Sequence, residues 1–262
     1  MRVLMTGSNG TVGRALGAAL SDDGHEVVGW DRGEAAAWDG EAGQRLVERV
    51  RPDVVVHLAV ASSPTGREGE GREVSVGWTV RLATLCREVG ARFVFTSTAM
   101  VFTDGAAGPF TVDSEPDAVE GYGGEKAEAE RLVAAANGEA LVVRLGWQIG
   151  ESAGSNNIVD YLETRQREEG VVRASREWKP SAAFLGDTAA ALAGLVESDA
   201  RGVRMIEGNR AGHSFYEIAR ALSERRHGGK YVIEATDDFV FDQRMLDDRV
   251  GCGQVGERLG LG

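Results

Sequence analysis

The sequence predicts an α/β protein: a Rossmann-type doubly wound parallel sheet followed by a small C-terminal lobe. Three observations carry that reading. A short apolar run at the start breaks into glycines at positions 7, 10 and 13. Val- and Leu-rich runs then alternate with amphipathic stretches through residue 145, the pattern of parallel strands covered on both faces. After about residue 150 the alternation loosens, with no Pro/Ser-rich linker between the halves.

Taken in order, Val3–Thr6 reads as a strand and Thr11–Leu20 as a helix closed by Asp-Asp-Gly at 22–24. Glu26–Trp30 is a second strand, with a helix over 41–50 behind it. Asp53–Leu58, with three consecutive valines, is a buried strand. Glu73–Val89 is a long helix with an apolar stripe of Val74, Trp78, Leu82 and Leu85, a face that suits the core. Arg92–Ser97 is a strand, Tyr122–Ala136 a helix stopped by Asn137-Gly138, and Ala140–Leu145 a strand. In the second part, Ile158–Glu169 and Thr188–Glu197 read as helices. Ser214–Glu224 opens on Ser214 and Glu217, the spacing of a capping box. Short strands are expected near 171–173, 203–206 and 231–235. The expected division is residues 1–150 as a nucleotide-binding domain and 151–262 as a substrate lobe packed against it.

Composition narrows the function classes. A net charge of −12 over 262 residues repels nucleic acid and anionic membrane surfaces, so neither is an expected partner. The longest apolar run falls well short of the ~20 residues that span a bilayer, and Met1 leads straight into the first strand, so a cytoplasmic protein is expected. Two cysteines, Cys86 and Cys252, form no disulfide framework and no metal-ligand pattern; no metal is expected.

The glycine run carries the first chemistry. Gly7 permits a sharp turn out of the strand, Gly10 lets backbone approach a pyrophosphate, and Gly13 lets the new helix pack on the sheet. Asn9, Thr11 and Val12 fill the turn, and the helix N-terminus supplies N–H donors for an anion. Asp31, at the end of the second strand, is placed to accept hydrogen bonds from ribose hydroxyls, which favours NAD. Arg32 leaves NADP open, since a guanidinium matches a 2′-phosphate. Asp39 is a candidate for the adenine amino group, although a turn aspartate needs no such role. His57, behind three valines, reads as a hydrogen-bonded core histidine and not as a base.

The second chemistry is Tyr122-Gly-Gly-Glu-Lys126. Four residues apart on a helix, the phenol and ammonium share a face. A tyrosine titrates near ~10, and a neighbouring cation is expected to lower that value. The pair follows Thr98 at the carboxyl end of a parallel strand, where ligands bind in such sheets.

Four stretches in this order, Thr6-Gly-x-x-Gly-x-x-Gly13, His57-Leu-Ala, Phe95-Thr-Ser-Thr-Ala-Met-Val-Phe102 and Tyr122-x-x-x-Lys126, resemble the extended short-chain dehydrogenase/reductase family. The chain is most similar to its dTDP-4-dehydrorhamnose reductase (RmlD-like) and NAD-dependent epimerase branch. Arg144-Leu-Gly-Trp147, Asn156-Asn157 and Lys179-Pro180 ahead of Asp187 echo that branch. The resemblance implies an NAD(P)-dependent reductase or epimerase acting on a nucleotide sugar. It casts Tyr122 as acid/base, Lys126 as modulator of its pKa and ribose anchor, and Thr98 as hydrogen-bond donor to the substrate oxygen; it places Leu58, Ala59 and Val60 along the cofactor and Leu145 near its reactive ring, and allows a homodimer through the Glu73–Val89 helix. Ser62, Ala99, Met100, Trp147, Asn157 and Lys179 are candidate substrate contacts. Ala99-Met100 stands where the branch has Asp-Tyr, so the substrate is expected to differ. The alternative is a non-catalytic nucleotide-binding regulatory subunit of the same fold.

Overall fold

The computed structural model describes residues 1–61, 66–151 and 155–262. The chain opens with β1 (Arg2–Thr6), α1 (Thr11–Asp22), β2 (Glu26–Gly29), α2 (Gly40–Val50) and β3 (Val54–His57). A helical run follows in three pieces: Glu70–Arg72, a π-helical turn at Glu73–Gly77, and α3 (Trp78–Val89). The long helix expected from Glu73 is thus wound wide in its first turn. There the Thr79 hydroxyl donates to the carbonyl of Ser75 at 2.9 Å. The run ends at Gly90, whose φ of 74° is the left-handed cap that glycine adopts freely. Then come β4 (Arg92–Thr98), α4 (Gly121–Ala136) and β5 (Leu141–Leu145), and later β6 (Gly202–Ile206).

These strands form one six-stranded sheet in the order β2-β1-β3-β4-β5-β6. Its β1–β2, β1–β3 and β3–β4 pairs are parallel. Strand order reverses between β1 and β3, which opens a crevice beyond their carboxyl ends. In register there, Thr6 faces His57 and His57 faces Phe95. All four residues of β3 are buried, as the run of valines requires of a strand covered on both faces. Val74, Trp78 and Leu82 are each no more than 3% exposed and belong to the core around Leu4, Val55 and Phe93. The apolar stripe is therefore spent inside the fold.

The chain divides into two compact units: residues 1–101, 116–144 and 192–204, and residues 102–115, 145–191 and 205–262. A single cut at 150 misses two excursions. Residues 192–204 return to the first unit because they lead into the strand beside β5. Residues 102–115 join the second because Phe110–Thr111 pairs with Met245–Leu246.

The second unit holds α5 (Ile158–Glu169), the start of α6 (Leu185–Glu197), α7 (Phe215–His227) and α8 (Val255–Leu259). Ser214 and Glu217 form the expected reciprocal capping box of α7. Its strands come in short parallel pairs, such as Val172–Ser175 with Ile233–Thr236. Ile149, Ile158, Leu162, Ile218 and Leu222 make its core.

Candidate active site

The glycine turn follows β1 directly. Gly7 sits at φ 66°, and a Cβ there would meet the backbone of Leu58 and Ala59 at 2.9 Å. At Gly13 an added Cβ would lie 2.1 Å from the carbonyl oxygen of Gly7, so only glycine lets α1 start this close to the turn. At Gly10 the nearest atom would be that same oxygen at 3.1 Å, and the position otherwise faces open space. Gly10 also N-caps α1 with no side chain bonded to the helix amides. Those donors are left for a ligand, and the cradle would be filled by any side chain at Gly10. The turn therefore fits a pyrophosphate.

The acidic candidates divide. Asp31 is exposed just past β2, and its carboxylate accepts from the amide of Gly33 at 2.7 Å. Among the described residues Arg32 has no ion pair, whereas Arg14 is folded back to donate to the carbonyl of Asn9 at 2.5 Å. Asp39 caps α2, accepting from the amide of Ala42 at 2.9 Å. Its carboxylate is accounted for without an adenine.

Leu58 is half-buried, Ala59 buried and Val60 exposed, in sequence beyond β3. The Thr6 hydroxyl oxygen accepts from the amides of Leu58 and Ala59, each at 3.2 Å, and so ties this exit to the end of β1.

Thr98 ends β4 and Tyr122 opens the first turn of α4. Thr98 Oγ1 accepts from the amide of Met100 at 3.2 Å, which leaves its own proton to donate. The Tyr122 hydroxyl makes no hydrogen bond among the described residues, and the residue is 40% exposed. One helical turn on, Lys126 is 1% exposed. Its Nζ donates to the carbonyl of Thr96 at 3.0 Å and lies 4.5 Å from the centroid of the Phe95 ring and 5.7 Å from that of Tyr122. Gly123 and Gly124 make this possible: a Cβ at Gly123 would fall 2.0 Å from the Met100 carbonyl oxygen, and one at Gly124 2.5 Å from the Val119 backbone. The two glycines inside the Tyr-x-x-x-Lys motif let α4 press against the segment that follows β4.

The electrostatics correct one expectation. Burial, with a further push from Glu125, raises the Tyr122 phenol to about 12 instead of lowering it. Burial likewise brings the Lys126 ammonium down to about 8, against the opposing pull of Glu130 and Glu125. Desolvation of both groups outweighs the attraction of the cation for a phenolate. Beyond Lys126 on α4, Glu130 makes a buried two-oxygen ion pair with Arg144 of β5, the shortest contact being 2.7 Å.

The remaining candidates have other neighbours. Ala99 is buried and Met100 is 54% exposed, immediately after Thr98. Leu145 is half-buried at the end of β5. In the second unit Trp147 packs among Tyr161, Phe215 and Trp178, with ring centroids 5.4, 5.7 and 6.1 Å away. Asn157 is buried and caps α5, accepting from the amide of Asp160 at 3.1 Å. Lys179 is paired in register with Asp242. Ser62 lies outside the described residues. The residues that reading the sequence missed are Thr6, Thr96 and the Glu130–Arg144 pair. Thr6 had a signal, a hydroxyl inside an apolar strand; Thr96 acts through its carbonyl, which no side-chain pattern reveals.

A glycine turn at the switch point, with tyrosine and lysine one helical turn apart beyond β4, defines a short-chain dehydrogenase/reductase. Residues 1–242 match the RmlD substrate binding domain, and the chain belongs to that family. It is 34% identical over 209 residues to a dTDP-4-dehydrorhamnose reductase of Burkholderia thailandensis, covering 77% of this chain and 69% of that one. It is 30% identical over 154 residues to the methionine adenosyltransferase 2 subunit beta of Xenopus tropicalis, covering 55% and 46% of the two chains. The fold matches the crystal structure of dTDP-4-dehydrorhamnose reductase from Bacillus anthracis in complex with NADP, with a TM-score of 0.83, 19% identity and coverage of 98% and 96%.

Proposed function

We propose that this protein is an NAD(P)-dependent reductase of a keto nucleotide sugar, with Tyr122 as the proton donor. The observation that carries the reading is the Tyr122–Lys126 pair: a phenol with no protein partner among the described residues, one turn from an ammonium held almost wholly out of water. Lys126 alone would serve a nucleotide-binding protein as a ribose anchor; the unpartnered phenol beside it is what a proton transfer adds. The family's reductases, by their names, act on dTDP-4-dehydrorhamnose. Met100, exposed just after Thr98, makes that surface apolar, which suits a deoxygenated or alkylated sugar better than a polar one.

When bound, a nicotinamide dinucleotide supplies the hydride. The Gly7–Gly13 turn would hold its pyrophosphate on the α1 amides, and Asp31 would hold its adenosine ribose, which favours NAD. Lys126 keeps one proton on the Thr96 carbonyl and would offer the others to the second ribose. Thr98 donates to the substrate carbonyl oxygen, where negative charge grows, and Tyr122 gives that oxygen its proton. A phenol pushed up to about 12 is fully protonated at neutral pH, the form that reduction needs.

The test is oxidation of NADH and NADPH in the presence of a panel of 4-keto nucleotide sugars. Wild type turns over at least one of them. Tyr122→Phe binds the dinucleotide with unchanged affinity and loses at least about 100-fold in kcat, the scale of a positioned acid. A second reading, a regulatory subunit of the same fold, rests on the similarity to the adenosyltransferase beta subunit and on the loss of Asp-Tyr at 99–100. Dinucleotide binding without turnover of any keto sugar, by wild type and variant alike, would favour it.

A further inference from the structure

His57 is fully buried between three aromatic rings, with Trp78 edge-on at 5.1 Å and Phe93 and Phe95 stacked at 6.3 and 6.0 Å. Two hydroxyls touch its ring nitrogens: Thr6 Oγ1 lies 2.8 Å from Nδ1, and Thr79 Oγ1 lies 2.9 Å from Nε2. Proton counting fixes the direction of both bonds. A threonine hydroxyl has one proton and two acceptor sites. Thr6 Oγ1 already accepts from the Leu58 and Ala59 amides, so its proton goes to His57 Nδ1. Nδ1 is then an acceptor, and the ring proton sits on Nε2 and is donated to Thr79. The Thr79 proton ends on the carbonyl of Ser75, at 2.9 Å, inside the π-helical turn.

We propose that His57 is a positioning residue for the dinucleotide: a neutral imidazole, protonated at Nε2, that orients Thr6 so that its oxygen faces the Leu58 and Ala59 amides. This rests on the reading of the Gly7–Gly13 turn as the cofactor site. Turned the other way, the Thr6 hydroxyl would present a proton to those two amides and release the strand exit that packs against Gly7. The network then continues across the crevice. The His57 carbonyl accepts from the Thr96 hydroxyl at 3.1 Å, and the Thr96 carbonyl accepts from Lys126. One polar chain thus links the glycine turn, the exit of β3, the end of β4 and Lys126. Burial, with a further push from the Lys126 charge and against a hydrogen bond to the Val74 backbone, holds His57 down at about 3, so the ring stays neutral throughout the working pH range.

The first experiment needs no variant and no cofactor. In 15N-detected NMR of the wild-type protein, His57 is expected to show a bare, pyridine-type Nδ1 and a protonated Nε2, unchanged between pH 8 and pH 5. A proton on Nδ1, or titration of the ring near its ordinary value, overturns the proposal whatever the protein's activity. The second experiment separates positioning from simple folding. Thr6→Val removes the oxygen at nearly constant volume and is expected to raise Kd for the dinucleotide about 10-fold, the worth of one or two hydrogen bonds. The kcat at saturating dinucleotide should change less than 3-fold, and Thr6→Ser, which keeps the hydroxyl, should restore affinity. Equal Kd values for wild type and a folded Thr6→Val protein, judged by circular dichroism, also overturn it. If neither protein binds any dinucleotide while the NMR result holds, the cofactor reading fails and the direction of the hydrogen bonds stands.

Discussion

Lys126 should make the protein less stable at neutral pH than a version without its charge. Its ammonium titrates at about 8 in the fold and at 10.5 in the open chain, because burial penalises the charged form. That gap corresponds to about 3 kcal/mol. Lys126→Met keeps the stem and removes the charge, but leaves the Thr96 carbonyl without its donor, at a cost of about 1–2 kcal/mol. The variant is therefore expected to be more stable than wild type by about 1–2 kcal/mol at pH 7. The pH dependence is the sharper signature. Between pH 8 and 10.5 the unfolded chain carries more protons than the folded one, so wild-type stability gains with rising pH. The wild type should recover about 3 kcal/mol over that window and overtake the variant near pH 9. Urea titrations of both proteins from pH 7 to 10, followed by far-UV circular dichroism, give the difference directly, since other titrating groups cancel. A difference that stays flat across this range would refute the assignment of a penalised buried ammonium.

The two glycines of the turn should separate. Gly13→Ala forces a Cβ to 2.1 Å from a carbonyl oxygen and is expected to lower thermal stability by several degrees and abolish dinucleotide binding, whereas Gly10→Ala should unfold like wild type and lose binding alone. Asp39→Ala should cost about 1 kcal/mol of stability, the worth of an N-cap, and leave the dinucleotide Kd unchanged; a weakened Kd in isothermal titration would return Asp39 to the adenine. Glu125→Gln removes a charge that raises both Tyr122 and Lys126, so their apparent pKa values should both fall. An ultraviolet phenolate titration, referenced to Tyr122→Phe, reads the first of these shifts.

What the sequence made legible is what backbone geometry writes into residue type. Glycines at 7, 10 and 13 are there because a Cβ at each would meet backbone or fill the space above the turn, so their spacing locates the turn without any structure. The valines of β3 mark a strand covered on both faces, and Ser214 with Glu217 marks the start of α7. The parts that stayed hidden depend on neighbours distant along the chain. Two-residue strands such as Trp178–Lys179 exist only because Phe241–Asp242 lies beside them, and neither segment has enough length for a period. The wide turn at Glu73–Gly77 sits in an ordinary helical pattern. Asn157 and Trp147 were legible as unusual residues but not as a helix cap and a member of an aromatic cluster, since both roles need partners elsewhere in the second unit.

The direction of the Tyr122 shift bears on the direction of the reaction. A tyrosine that starts as a base must be deprotonated before it accepts a proton, and in this fold burial and Glu125 both oppose that. A tyrosine that starts as an acid rests in its donor form, and the cost of the phenolate falls within the transfer step instead of before it. Lys126 is suited to the same sense of reaction. Its charge is held in place by the Thr96 carbonyl and by the negative groups on its own helix, close enough to steady the phenolate left behind after the proton has gone. On the proposed reading, reduction starts from the populated form of Tyr122, whereas oxidation of an alcohol would start from the scarce phenolate.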